Sequence, residues 1–245
     1  MKQINNNLIY KIDSKTEFGN FLKSKKIKEI NLEKLQSKKK LKLVFIILFK
    51  ENSKNNIFKI LIKLKKISKY NYVKVIFTSS IDVYAKKKEC SETARLSQSK
   101  SKYIRSKIKI EKFIIKNFEN FLILRIGSIL RKKRSNVISR ILFNKQDVTS
   151  LHYMSKYYLV NESLIYKFIL KSILKNYKGI FNFVPNNQVS IKNSLNLANI
   201  ANVIYGSYKY GKTKISNKKI KFLFKELNVS SKNIYLNFLK TNNYF

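Results

Sequence analysis

Apolar positions along the chain fall into short runs with two different periods. Residues 8–12, 42–49 and 72–77 form β-prone runs, and the run at 42–49 is apolar almost throughout, as in strands buried on both faces of a parallel sheet. Residues 57–67 place their apolar side chains at helical spacing, and a helix is expected to open at 18–22. Strands alternating with helices predict βαβ units.

The same alternation continues in the second half of the chain. It predicts a helix at 103–118, a strand at 121–126, a helix at about 161–176 and a strand at 180–184. In the first of these helices, the candidate inner positions are Ile104, Ile108, Ile110, Phe113, Ile114 and Ile115. We therefore predict an α/β fold, a doubly wound parallel sheet of the Rossmann type, in a single domain of residues 1–245.

The charge of the chain allows two interpretations. There are 53 basic and 13 acidic residues, a net charge of +40, which would attract nucleic acid. However, 47 of the basic residues are Lys and six are Arg, although phosphate and base recognition favour the guanidinium fork. A codon bias towards A and T explains the Lys, Asn and Ile surplus as well, so nucleic acid is kept as a partner that is not favoured.

Other function classes have little support in the composition. The single cysteine, Cys90, excludes an internal disulfide, and neither zinc spacing nor a phosphate-binding Gly-x-x-x-x-Gly-Lys loop occurs, so no metal site is expected. The lone His152 is expected on the surface or in packing. The longest apolar run, Leu43 to Phe49, is far below the ~20 residues that cross a bilayer. With no signal-peptide pattern at its start, the chain is expected in the cytoplasm.

The spacing of Tyr103 and Lys107 suggests acid–base chemistry. Four residues apart on a helix, the phenol and the ammonium share one face. A fixed positive charge lowers the pKa of a neighbouring Tyr, which makes the phenol a usable proton donor or acceptor. The pair alone is weak support, because chance matches are expected among 15 Tyr and many Lys.

The context of this pair carries a resemblance to a known family. The strand at 72–77 runs into Ser79-Ser80-Ile81-Asp82-Val83-Tyr84, then Tyr103-x-x-x-Lys107-x-x-x-Glu111 follows, then Leu124-Arg125. This series resembles the extended short-chain dehydrogenase/reductase superfamily, the NAD-dependent epimerase/dehydratase group. Further similar segments extend the resemblance over roughly residues 70 to 240: Leu159 to Glu162, Gly179 to Val184, Ser190 to Lys192 and Asn217 to Leu227.

The resemblance implies roles for the residues of the trio. Ser80 would bond the sugar oxygen, Tyr103 would exchange the proton, and Lys107 would hold the nicotinamide ribose of NAD or NADP. Thr78 is implied beside the cofactor and Ser128 near the phosphate of a nucleotide sugar. Asp82 occupies the position of a dehydratase acid, but its neighbour Ile81 departs from that signature, so a structural role is favoured.

The resemblance also implies an architecture and a biological role. A reduced cofactor half spans about residues 1–70 and a catalytic half about 71–127. A substrate lobe is formed by 128–160 and 185–245. The implied role is modification of a nucleotide-linked sugar for surface polysaccharide, with a homodimer left open.

The cofactor loop departs from the family pattern. Asp13, Thr16 and Gly19 stand where the family has three glycines, so a carboxylate and a side chain oppose the pyrophosphate. Thr16 and Gly19 remain the candidate cofactor positions. The region before Ser80 is also short, which predicts that a strand–helix unit is missing or reduced, and neither Glu29 nor Glu33 matches the ribose-binding acid convincingly. An active enzyme and a catalytically impaired binding protein, either a pseudoenzyme partner or a nucleic-acid binder, both stay open.

Overall fold

The computed structural model describes most of the chain. The described residues are 9–12, 16–29, 43–49, 56–70, 72–85, 89–132, 136–144, 148–211 and 214–244. They form two compact units. The first contains the described residues up to Ala85 together with Ala94–Arg125 and Ile169–Phe181, and the second contains the rest.

Strands and helices alternate through the first part of the described chain. The strands are β1 (Ile9–Ile12), β2 (Lys28–Glu29), β3 (Leu43–Ile47), β4 (Val73–Ser80), β5 (Glu89–Cys90), β6 (Phe121–Ile126), β7 (Ser128–Leu130), β8 (Val148–Leu151), β9 (Lys156–Tyr157), β10 (Leu159–Asn161), β11 (Gly179–Phe183), β12 (Val189–Ser190), β13 (Ile204–Tyr208) and β14 (Lys214–Ile215). The helices are α1 (Glu17–Ser24), α2 (Asn56–Ile67), α3 (Lys102–Asn117), α4 (Val137–Asn144), α5 (Glu162–Leu174), α6 (Ile191–Leu197), α7 (Lys218–Leu223) and α8 (Ser231–Thr241).

A six-stranded sheet organises the first unit. Its strand order is β11-β6-β4-β3-β1-β2, and β1 is parallel to both β2 and β3, as β3 is to β4. The chain therefore reverses its direction of travel across the sheet between β1 and β3. In doubly wound sheets, ligands bind at the carboxyl ends of the strands beside such a switch point.

The middle strands of this sheet are buried, as is typical of parallel sheets. Every residue of β3 and β4 is buried, so both faces of these strands are covered. On one face, α2 and α3 pack against alternate residues of the strands, including Phe45 and Val75. The predicted doubly wound α/β fold is confirmed.

A lysine interrupts the apolar residues at the start of β4. The buried Lys74 donates to the carbonyl oxygens of Ser172, at 3.1 Å, and Tyr177, at 2.7 Å. Burial, helped by the charge of Lys178, lowers the pKa of Lys74 to about 8. Two backbone carbonyls thus satisfy a lysine inside the sheet.

The interior of α3 differs from the sequence expectation. Its buried positions are Ser106, Lys107, Ile110, Glu111 and Ile114. Ile115, predicted to face inwards, is 46% exposed. The prediction for Ile115 was wrong because apolar periodicity assigns only apolar residues to the buried face. In α3 that face also holds polar side chains, which have partners on the neighbouring strands.

The edge of the sheet beyond β1 bears on the predicted loss of a strand–helix unit. Among the described residues, β2 alone stands on that side, whereas the usual doubly wound sheet has two strands there. Residues 30–42, which connect β2 to β3, lie outside the described part. The loss of a unit therefore stays a prediction.

The second unit is assembled from short strands and helices. Its described residues form four two-stranded sheets, β10-β7, β12-β9, β13-β8 and β14-β5. Its core joins α4, α6 and α8, with Tyr235 and Leu239 fully buried. Gly127 is required before β7, because a Cβ there would come within 2.5 Å of the Tyr158 carbonyl oxygen. None of the helices in the described ranges combines the length and apolarity needed to cross a bilayer.

Candidate active site

The predicted catalytic trio lies within the first unit. Ser80 is the last residue of β4, and Tyr103 and Lys107 lie in the first two turns of α3. The Lys107 ammonium donates to the carbonyl oxygen of Thr78, with Nζ 2.6 Å from the oxygen. This bond ties the helix of Tyr103 to the carboxyl end of the strand that carries Ser80.

Lys107 is enclosed by aromatic rings. It is 3% exposed, and its Nζ lies 5.0 Å from the ring centroid of Phe77, 5.5 Å from that of Tyr103 and 5.9 Å from that of Phe49. Burial lowers the pKa of Lys107 to about 7, against the opposing effect of the Glu111 carboxylate. Burial therefore disfavours the charged form of Lys107, which the hydrogen bond to Thr78 partly offsets.

Tyr103 is half-buried at the start of α3. Its ring stacks on that of Phe49, with centroids 6.4 Å apart and the planes inclined by 21°. One helical turn separates it from Lys107, as the spacing predicted. The two side chains are therefore brought together.

Ser80 is held by Asp82 where β4 ends. Its hydroxyl donates to the Asp82 carboxylate at 3.1 Å and accepts from the Asp82 backbone N–H at 3.2 Å. It thereby caps the short 3-10 helix Ile81–Val83. These bonds agree with the structural role favoured for Asp82, and they fix the Ser80 side chain.

A buried ion pair supports this end of the sheet. Glu111 of α3 is fully buried, and its carboxylate accepts from Arg125 Nη2 at 2.8 Å and from the Ser79 hydroxyl at 2.5 Å. Arg125, on β6, also donates through Nη1 to the Tyr84 hydroxyl at 2.9 Å. Burial opposes the charge on Arg125, but the hydrogen bonds and charge of Glu111 outweigh it and raise the pKa of Arg125. Sequence reasoning placed Glu111 and Arg125 in the family pattern without giving them this role.

The residues of the predicted cofactor loop lie at the start of α1. Thr16 is the N-cap, and its hydroxyl accepts from the Gly19 backbone N–H at 2.9 Å. Glu17 adds a carboxylate to the first turn, where the positive end of the helix dipole would otherwise face an anion. Asp13 lies outside the described residues. The N-terminus of α1 is therefore already capped by Thr16 and carries the negative charge of Glu17.

Four further residues were considered from the sequence, and the structure describes three of them. Glu29 ends β2 and is exposed, at the carboxyl end of the strand next to β1, while Glu33 lies outside the described residues. Ser128 belongs to the second unit, where its N–H donates to the Tyr158 carbonyl oxygen at 2.7 Å. His152 is also in that unit, and its Nδ1 accepts from the Met154 N–H at 3.2 Å.

Comparison with solved structures places this geometry in a known fold. A dTDP-4-dehydrorhamnose reductase from Clostridium acetobutylicum superposes with a TM-score of 0.71 at 13% identity, over 96% of this chain and 99% of that one. A UDP-N-acetylglucosamine 4-epimerase from Bacillus cereus gives 0.68 at 14% identity, over 94% and 98%. The chain has the fold of these sugar-nucleotide enzymes.

A third neighbour is similar and was solved with ligands. A UDP-glucuronic acid 4-epimerase from Bacillus cereus, in complex with UDP-glucuronic acid and NAD, gives a TM-score of 0.66 at 17% identity, over 91% of this chain and 86% of that one. Neither a family model nor a curated protein matches the chain by sequence. The fold implied by the resemblance to the extended dehydrogenase/reductase superfamily is confirmed.

Proposed function

We propose that the chain is an NAD(P)-dependent member of the extended short-chain dehydrogenase/reductase superfamily that modifies a nucleotide-linked sugar by epimerisation, dehydration or reduction. The observation that supports this most directly is the bond from Lys107 to the Thr78 carbonyl oxygen. It holds Tyr103 and Lys107 beside the strand end that carries Ser80, at the edge of the sheet where doubly wound folds bind ligands.

The residues of this edge divide the acid–base work. Ser80 donates its hydroxyl hydrogen to Asp82, which leaves a lone pair of its oxygen to accept from the reacting sugar hydroxyl. Tyr103 takes the proton from the sugar hydroxyl as a C–H hydrogen leaves, and returns it in the reverse direction. NAD(P), when bound, supplies the hydride acceptor or donor.

The described residues fit this cofactor better at its nicotinamide end than at its pyrophosphate end. Thr78, Tyr103 and Lys107 would meet the nicotinamide ribose. At the other end, Thr16 and Gly19 would face the pyrophosphate, but they are already bonded to each other. Glu29, at the end of β2, has the position from which an acid can bind the adenosine ribose.

The carboxylate of Glu17 is expected to weaken cofactor binding, because it lies in the first turn of the helix that would face the pyrophosphate. Glu17→Gln should lower the Kd for NADH about two- to fivefold, the size of one charge at a helix terminus. Nicotinamide fluorescence measures this, with the exposed Glu119→Gln as the control. Equal affinities of Glu17→Gln and the wild type would refute the unfavourable role of Glu17.

The substrate side of the proposal rests on the neighbours and on the sequence. A nucleotide sugar is the proposed substrate, and Ser128 is proposed to contact its phosphate. The modified sugar is proposed to be used in the synthesis of surface polysaccharide. The proposed location is the cytoplasm, with a homodimer as an open assembly.

Catalysis by Tyr103 is tested with purified protein, NADH and NADPH, and a panel that includes UDP-glucuronic acid and UDP-N-acetylglucosamine. Tyr103→Phe should reduce turnover at least about a hundredfold, since it removes the proton-exchanging group. The Kd for NADH, measured by fluorescence, should stay within about twofold of the wild type, a change that is negligible in free energy. Tyr72→Phe, at a tyrosine that is 62% exposed in the same unit, is the matched control. Full turnover by Tyr103→Phe would remove Tyr103 from the mechanism.

A second candidate function is favoured by the start of α1. The Thr16 cap and the Glu17 carboxylate both suit a scaffold that binds no dinucleotide. A binding protein on the same fold, a pseudoenzyme partner or a nucleic-acid binder, would then explain the chain. Failure to bind NADH or NADPH at millimolar concentration would favour this second candidate and reject the proposed oxidoreductase function.

A further inference from the structure

Phe49 stands at the edge of the sheet beside the switch point. β3 ends at Ile47, but the Leu48 N–H still donates to the Ile12 carbonyl oxygen at 2.9 Å, so the pairing with β1 continues for one more residue. Phe49 follows directly. Its backbone therefore leaves the sheet at the carboxyl ends of β1 and β3, where the crevice of a doubly wound fold opens.

The Phe49 ring covers Lys107 from this edge. It stacks on Tyr103 at 6.4 Å between centroids and lies 5.9 Å from Lys107 Nζ. The remaining sides of the ammonium meet the Phe77 ring at 5.0 Å and the Thr78 carbonyl oxygen at 2.6 Å. Phe77 and Thr78 belong to β4, which is buried throughout. Of these groups, Phe77 and Thr78 are fixed in the sheet, and Phe49 and Tyr103 lie towards its edge.

This arrangement conflicts with ligand binding by Lys107. A residue that is 3% exposed cannot offer its ammonium to a ribose without a rearrangement. Tyr103 is on the same helix as Lys107, one turn away. Phe49 is 7% exposed and lies beyond the last paired residue of its strand, so its ring, unlike that of Tyr103, can be displaced while α3 stays in place.

We propose that Phe49 covers Lys107 and controls its access to the nicotinamide ribose, so that cofactor binding requires the ring to move. The identity of the ligand rests on the proposed function, whereas the cover over Lys107 does not. A protein whose competent state has a population f binds with an apparent Kd of Kd/f. Removing the ring should expose Lys107 and also tighten cofactor binding.

The cover is tested first without cofactor, by brief labelling with acetic anhydride and peptide mass spectrometry. The exposed Lys112 of the same helix serves as the internal reference. Phe49→Ala should raise the labelling of Lys107 relative to Lys112 about tenfold, as expected when the open population rises by that factor. Phe49→Leu, which preserves more of the packing, should give a smaller rise.

Phe77→Leu is the matched control for this experiment. It also removes an aromatic contact of the Lys107 ammonium, but from inside the sheet, so it opens no path to solvent. Its Lys107 labelling should equal that of the wild type. Unchanged Lys107 labelling in both folded Phe49 variants, checked by circular dichroism, would overturn the proposal.

Cofactor affinity is the second readout. The Kd of Phe49→Ala for NADH should fall about tenfold if the labelling rises tenfold, because both report the same open population. Increased labelling with an unchanged Kd would overturn control of cofactor access. Increased labelling with no NADH binding by any variant would support the cover over Lys107 and reject the proposed oxidoreductase function.

Discussion

Replacing Glu111 by Gln is expected to lower the free energy of unfolding by about 3 to 5 kcal/mol, the cost of leaving a buried charge without its partner. Arg125 is 2% exposed and its guanidinium bonds the Glu111 carboxylate with Nη2 at 2.8 Å. Gln keeps the shape of Glu and one oxygen for the Ser79 hydroxyl, but its amide nitrogen cannot accept from Arg125, so the loss reports the charge together with that hydrogen bond. Urea unfolding at pH 7, followed by circular dichroism, measures it.

The control for this prediction is an exposed carboxylate near the other end of α3. Glu119→Gln should change the free energy of unfolding by less than about 0.5 kcal/mol, as is usual at surface sites. A double variant, Glu111→Leu with Arg125→Met, should lose less than the sum of its single variants, because the two side chains share one interaction. A loss below about 1 kcal/mol in Glu111→Gln would show that the pair is only marginally stabilising.

The strands of the first unit could be predicted because their burial leaves a simple trace in the sequence. β3 is covered on both faces, so its apolar residues run without alternation, β4 contains the apolar run Val75–Phe77, and α2 shows helical spacing between the two strands. The start of β4 and the extent of α2 agree with the predicted runs to within about one residue, which is close to the disagreement between assignment methods. The local pattern of apolar residues was therefore sufficient to predict these elements.

The polar interior of α3 could not be predicted in the same way. The partners of Lys107 and Glu111 are Thr78, Ser79 and Arg125, which lie 14 to 32 residues away in sequence. Hydrophobic periodicity gives no information about such pairs, and it predicted instead that Ile115 faces inwards. These residues entered the sequence argument only through their place in a family pattern.

Phe49 was missed because its position in the sequence is that of a strand end. Its contact with Tyr103 joins a residue just after β3 to a residue of α3, and only the folded sheet brings the two together. The second unit shows a related limit: strands of two or three residues, such as β9 and β12, have no period to detect. By contrast α8, with its Ser230 cap and apolar residues at helical spacing, carries a pattern from which it could have been predicted.

The stability contributed by Lys107 is expected to depend on pH, which Lys107→Met reveals. Its pKa is about 7 in the folded protein, against 10.5 for an ordinary lysine. Below pH 7 the ammonium is charged in both states, so folding bears the full cost of burying it. Between pH 7 and 10.5 the folded protein has released a proton that the unfolded chain keeps, and the wild type therefore gains stability as pH rises.

The difference between two proteins isolates this effect from the titration of the other lysines. The free energy of unfolding of the wild type minus that of Lys107→Met should rise by about 1.4 kcal/mol per pH unit between pH 7 and 10, the value for one proton. Lys112→Met, at an exposed position of the same helix, should follow the wild type throughout. Urea unfolding at half-unit intervals of pH measures both differences. A constant difference for Lys107→Met would mean that the amine is not buried as described, and it would remove the reason for Phe49 to act as a cover.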